Sequence, residues 1–247
     1  MDGDRAPSRE SHSGEVRYRA VFFDAGDTLV RPHPSFHELF AQVMLRGGYP
    51  VDPEEVRSCW PVAMRRFRDA AESQEAWSTS PERSRRFWLS VYEVFFDELA
   101  IPDSNGLGES LYETFSDMSN YRLFPDVMPA IDALAAAGLS MGVVSNFEAW
   151  LDELLVSLGL GESLPVRVIS GIEGIEKPDV RLFELALERS GFDAADCAYV
   201  GDSIDFDVVP ARKLGMHPVL VDRRDRFGDH QGSRITSMEQ LPEVLSA

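Results

Sequence analysis

Val21-Phe22-Phe23-Asp24-Ala25-Gly26-Asp27-Thr28-Leu29-Val30 is the stretch whose reading decides the fold. The apolar run Ala20 to Phe23 ends in a carboxylate, and small, acidic and hydroxylated residues follow it. A strand of a parallel sheet is covered on both faces and reads as such an unbroken apolar run. Open α/β sheets bind ligands just beyond the carboxyl ends of their strands, so Asp24 stands where chemistry is expected.

Beyond Leu29 the pattern becomes helical from about Pro32 to Ser119. Phe36, Phe40, Val43 and Met44 recur on one helical face. Asp52 and Pro53 fit an N-cap and a first helical position. Trp60 to Ala71 reads as a basic amphipathic helix, and Ser80-Pro81 opens another that runs to about Leu99. From Tyr121 onward strands and helices alternate. Val127–Ala137 is a helix, Leu139–Val144 a buried strand, Leu151–Leu158 a helix and Val166–Ile169 a short strand. Pro178–Ser190 is then a helix, Cys197–Val200 a strand, Asp205–Leu214 a helix and His217–Val221 the last strand. That alternation predicts a parallel sheet with right-handed crossovers. The expected fold class is α/β: a Rossmann-like core from residues 17–31 and 120–247, with an all-helical cap inserted at 32–119. Residues 1–16, polar and without an apolar core, read as a disordered tail, neither signal peptide nor anchor.

The formal net charge of −18 argues against nucleic acid, whose phosphates need a basic face. It leaves room for a small phosphate ester, because a metal in a pocket reverses the local field. No apolar stretch approaches the roughly 20 residues of a membrane helix, so no membrane partner is expected, and the chain reads as cytoplasmic. Cys59 and Cys197 match no metal or redox spacing and read as two reduced, buried thiols. Only Lys177 and Lys213 are lysines, so a functional lysine has few places to be.

Four segments end in polar residues where strands or loops should meet the crevice. They are Asp24 with Thr28, Ser145 with Asn146, Lys177 before Pro178, and Gly201-Asp202-Ser203 through Asp205 and Asp207. Singly, each also fits a turn, a cap or a solvated side chain. Together they make an inventory for phosphoryl transfer. An ionised aspartate is a competent nucleophile. Asp24, Asp202 and Asp207 offer the hard oxygens that Mg²⁺ prefers. Ser145 can donate to a phosphoryl oxygen, and Lys177 can neutralise nucleophile and phosphate as a point charge.

These motifs, in this order, resemble those of the haloacid dehalogenase superfamily of hydrolases, with the cap between the first and second motifs. The resemblance implies Asp24 as nucleophile, Thr28 as loop support, and Ser145 and Lys177 as phosphoryl contacts. It implies Mg²⁺ at Asp24, Asp202 and Asp207, with the backbone carbonyl of Gly26 also facing the metal. Asn146, beside Ser145, joins the expected substrate contacts. The expected activity is Mg²⁺-dependent hydrolysis of a small phosphate monoester through an aspartyl-phosphate.

Gly26 departs from the pattern, because phosphatases of this superfamily carry an acid–base aspartate there. The nearest carboxylate is Asp27, which could supply the proton if the loop is locally altered, as a glycine would permit. Two alternatives stand beside the phosphatase. A 2-haloacid dehalogenase-like enzyme expels halide, which needs no proton; a non-catalytic protein keeps the fold and binds through the cap. Phosphonate hydrolysis by a cap lysine is excluded, since residues 32–119 contain none. His33 and His37 read as surface or capping residues, Arg65, Arg66 and Arg68 as a solvated helix face, and Arg223, Arg224 and Arg226 as a solvated loop.

Overall fold

β1 (Ala20–Phe23) is buried along its whole length and occupies the middle of a six-stranded parallel sheet. The computed structural model describes residues 17–73, 75–102 and 106–246, so the expected tail at 1–16 lies outside the described residues. The remaining strands are β2 (Val30–Pro32), β3 (Tyr121–Leu123), β4 (Ser140–Ser145), β5 (Val166–Ile169), β6 (Cys197–Gly201), β7 (His217–Val221) and β8 (Ser233–Ile235). The sheet order is β5-β4-β1-β6-β7-β8. Successive side chains of β1 serve opposite faces. Val21 and Phe23 join one apolar cluster, with Val127, Ile131 and Leu154. Ala20 and Phe22 join another, with Leu182, Phe183 and Ala186. Burial on both faces is why the strand reads as a continuous apolar run.

The order reverses at β1: β4 pairs with it on one side and β6 on the other, both parallel. Phe23 stands level with Val143 and Val200, so Asp24, Ser145 and Asp202 all emerge at the same carboxyl edge. That edge at a reversal point is where α/β sheets open a crevice.

Between β2 and β3 the described residues form five α-helices: α1 (Phe36–Arg46), α2 (Pro53–Ala63), α3 (Arg65–Ser73), α4 (Pro81–Glu98) and α5 (Leu107–Ser116). They share an apolar core of their own, centred on Phe40, Met44, Val91, Tyr92, Phe95 and Leu111. Asp52 caps α2 in a reciprocal box, accepting from Glu54 N at 2.8 Å while its own N–H donates to Glu55 Oε2 at 3.0 Å. The helix expected over Trp60–Ala71 is instead two helices that meet at Met64. Pro61 in the last turn of α2 has no N–H to donate and crowds the preceding turn, which ends the helix early.

After β3 come α6 (Val127–Ala136), α7 (Leu151–Ser157), α8 (Ser170–Glu173), α9 (Arg181–Ser190), α10 (Val209–Lys213) and α11 (Leu241–Ser246). The helix expected over Asp205–Leu214 opens with a wide turn, Ile204–Val208, in which both Asp207 N and Val208 N donate to Ser203 O at 3.1 Å. His217–Val221 is not the last strand, because β8 pairs parallel with it at the sheet edge. Cys59 and Cys197 are both buried and form no disulfide. Among the described residues no helix is long and apolar enough to cross a membrane.

Candidate active site

Lys177 is buried at the carboxyl edge of the sheet, with Nζ 2.6 Å from Asp24 Oδ1 and 2.6 Å from Asp207 Oδ1. Ser145 Oγ donates to Asp24 Oδ1 at 3.0 Å. Asp24 Oδ2 has no hydrogen bond among the described residues, so one carboxylate oxygen is fixed and the other is free. Tyr199 OH accepts from Lys177 Nζ at 3.1 Å and donates to Val144 O at 2.7 Å. In the sequence Tyr199 is one aromatic in a buried strand with no sign of a role; its place in β6, level with Phe22 of β1, brings the hydroxyl to the lysine.

Burial holds the Asp24 carboxyl above the usual range and Lys177 opposes this, while Asp207 adds to it. Burial disfavours the Lys177 ammonium, but Asp207 and Asp24 together outweigh it and the lysine stays charged. Asp202 is pushed well above the carboxylate range, first by burial and then by the charges of Asp27, Asp24 and Asp207. One carboxylate oxygen from each of Asp24, Asp202 and Asp207 lies within 4.8 Å of the others, an arrangement able to hold a metal ion. Crowded, desolvated carboxylates with hard oxygens fit a small divalent cation, which would relieve their repulsion. Asp207 is the most committed of the three: Oδ1 takes Lys177, and Oδ2 accepts from Ser203 N at 2.9 Å. The approach depends on Gly201, where a Cβ would stand 2.4 Å from the Asp207 carboxylate.

Gly26 has an ordinary backbone conformation, and a Cβ built there meets nothing within 4 Å. The altered geometry falls on Asp27 instead, whose φ is 53°. Aspartate tolerates this left-handed region better than most residues. Gly26 and Asp27 both line the cavity above Asp24. Thr28 is not brought to it: the residue is fully buried, Oγ1 has no hydrogen-bond partner among the described residues, and its carbonyl accepts from Arg223 Nη2 at 2.8 Å. Asn146 lines the cavity but spends its amide on Lys177, donating to its carbonyl at 2.8 Å and accepting from its N–H at 2.6 Å.

The cavity has a volume of about 1150 Å³ and lies between the strand ends and the helices. Two core carboxylates reach across the boundary. Glu176 accepts from Trp77 N at 3.0 Å, and from Ser78 N and Ser78 Oγ at 2.7 Å each. Glu148 accepts from Ser84 Oγ at 2.7 Å and Tyr112 OH at 3.0 Å. His37, read as a surface or capping residue, is instead buried against Trp60 on the cavity wall; Arg68, Arg224 and Arg226 are exposed as expected and also line the cavity. Arg223 pairs with Asp126 at 2.8 Å and lies over the Phe124 ring at 3.8 Å.

The comparisons agree with this geometry. A family profile described as "haloacid dehalogenase-like hydrolase" matches residues 18–215. The chain is 28% identical to haloacid dehalogenase-like hydrolase domain-containing protein 3 of Danio rerio, over 93% of this chain and 97% of that one. It is 32% identical to a phosphoserine phosphatase of Thermus thermophilus, over 78% of this chain and 68% of that one. Among solved structures, the putative HAD-hydrolase YfnB of Bacillus subtilis superposes with a TM-score of 0.76 at 17% identity, over 94% of this chain and all of that one. A 2-haloacid dehalogenase of Pseudomonas syringae superposes with a TM-score of 0.58 at 26% identity, over 93% and 98%. The family thus includes phosphatases and dehalogenases on one scaffold. With its sheet order, its strand-end motifs and a match over most of its length, the chain belongs to the haloacid dehalogenase-like hydrolases.

Proposed function

We propose that the protein hydrolyses a small phosphate monoester by way of an aspartyl-phosphate on Asp24, with Mg²⁺ as its metal. The observation that carries this reading is the bridging of Asp24 and Asp207 by Lys177 at 2.6 Å each, beside the triple carboxylate cluster. A dehalogenase has no use for three converging carboxylates, whereas a phosphoryl group needs positive charge among them. In this reading Asp24 Oδ2 attacks phosphorus and the ester oxygen leaves with the alcohol. Lys177 and Ser145 hold Oδ1 and orient the attack, and they offer N–H and O–H donors to the phosphoryl oxygens. Asp27 is the carboxylate available to protonate the leaving alcohol and then to take a proton from the attacking water. Asp24, Asp202, Asp207 and the Gly26 carbonyl would hold the Mg²⁺, which supplies charge neutralisation at the phosphoryl oxygens. The helical block at 32–119 acts as the cap: Glu148 and Glu176 hold it over the site, and closure excludes water.

The test is phosphate release from p-nitrophenyl phosphate with Mg²⁺ or with EDTA, for the parent and for Asp24→Asn. Loss of Mg²⁺-dependent release in the variant supports the reading; equal rates refute Asp24 as nucleophile. The second reading, hydrolytic dehalogenation, is favoured by the non-acidic residue at 26. Halide release from 2-chloropropionate in EDTA would establish it.

A further inference from the structure

We propose that the cavity mouth holds a second anion subsite, built by His37, Arg57 and Arg224, so that the preferred substrate is a phosphate monoester whose organic body carries a distal anionic group. The inference rests on the phosphatase reading of the Asp24 end. The three residues come from separate elements: His37 from α1, Arg57 from α2 and Arg224 from the loop after β7. All three line the same cavity as Asp24. His37 is only 5% exposed, and its Nδ1 has no hydrogen-bond partner among the described residues. With Nδ1 sealed inside the wall, Nε2 is the ring nitrogen left to meet a partner from the cavity.

The charge distribution points the same way. The chain carries a net −18, yet Arg31, Arg57, Arg68, Arg224 and Arg226 all line this cavity. Arg57 makes one loose pair, 3.4 Å from Glu54 on its own helix. The Arg224 side chain makes no ion pair or hydrogen bond among the described residues. Both guanidiniums act on the His37 ring, which burial first and then Arg57 and Arg224 push down to about 4. The ring is therefore neutral near pH 7 and can donate from one nitrogen while the arginines supply the charge. Next to this subsite the wall is aromatic: Trp60 lies 6.0 Å from His37 and 4.8 Å from Phe36 between ring centroids. The substrate body that fits is apolar and flat, with an anion at each end.

Three matched aryl phosphates test this: 4-propylphenyl phosphate, and analogues whose propyl chain ends in a carboxylate or in a second phosphate. Their leaving groups are alike, so kcat/KM ratios read the far end. The parent should favour one or both anionic tails by roughly tenfold or more, as charge-assisted hydrogen bonds do. Arg57→Gln and Arg224→Gln should each collapse that ratio, and added salt should shrink it. Equal rates on the three esters in the parent, or a preference that survives both substitutions, would overturn the proposal. Independently of turnover, 3-phenylpropanoate should raise the His37 pKa in an NMR titration, because a bound anion favours the imidazolium. An unmoved His37 also overturns it. If none of the esters is cleaved, the phosphatase reading fails, and the His37 titration still decides the anion subsite.

Discussion

Asn146 grips Lys177 by its backbone, with Nδ2 donating to the lysine carbonyl at 2.8 Å and Oδ1 accepting from the lysine N–H at 2.6 Å. The loop after β4 thereby sets the position from which Lys177 reaches Asp24. Asn146→Ala should lower kcat/KM for p-nitrophenyl phosphate by about 10²-fold, the scale of a 1 Å misplacement in an active site. An unchanged kcat/KM would mean that the grip is irrelevant to the lysine.

Gly26 is unstrained, and a Cβ added there meets no neighbour, so position 26 can accept a side chain. Gly26→Asp should raise turnover of alkyl phosphates, whose leaving groups need a proton, by about 10²-fold. The gain on p-nitrophenyl phosphate should be much smaller. Equal gains on both substrates would refute the idea that position 26 lacks an acid.

Metal binding should be visible without turnover. Mg²⁺ at about 100 times its Kd adds about 2.7 kcal/mol to the folded state, or roughly 5–10 °C in Tm for a chain of this size. Asp202→Asn should abolish that gain. It should also leave the metal-free protein no less stable than the parent at pH 8, because the amide stands in for a carboxyl that burial and its neighbours push upward. A parent Tm indifferent to Mg²⁺ would remove the cluster from consideration as a metal site.

His37 makes stability acid-sensitive. Its folded-state pKa, about 4, lies below the ordinary 6.5, so its contribution is present in full above 6.5 and is lost as pH falls through 4. The 2.5-unit gap corresponds to about 3 kcal/mol. His37→Gln should lose less stability than the parent between pH 6.5 and 4 in urea titrations. Parallel curves for the two proteins would contradict a buried neutral histidine.

Glu176 holds the α3–α4 connection through the Trp77 and Ser78 amides, so hydrogen exchange reads that contact directly. Glu176→Ala should accelerate exchange at those two amides and cost about 1–3 kcal/mol. Unaltered protection there would show that the helices are held without it.

The sequence revealed the long buried runs: Ala20–Phe23, Leu139–Val144, Cys197–Val200 and His217–Val221 are strands or the greater part of strands. β2, β3 and β8 escaped because three residues are too few to display a period. The strand-end residues Asp24, Ser145 and Asp202 were legible because parallel strands deliver their ends to one edge; Lys177 and Asp207 reach that edge from the segments leading into α9 and α10. Ser78 and Glu176, 98 residues apart in the chain, were not, since only tertiary packing joins them. His37 and Arg224 look like ordinary surface residues in the sequence; their place on the cavity depends on how the helices sit over the core. Gly26 stands out in the sequence as a departure from the motif, whereas the positive φ of Asp27 beside it leaves no sequence signal.

β2 and β3 pair antiparallel, with Pro32 opposite Tyr121. The chain therefore leaves for the helical block and returns from it at cross-strand partners. Topologically, residues 33–120 occupy the place of a hairpin turn. A two-residue loop there would leave the sheet and its strand-end carboxylates in the same order, so the length of the segment between Pro32 and Tyr121 can vary without rethreading the core.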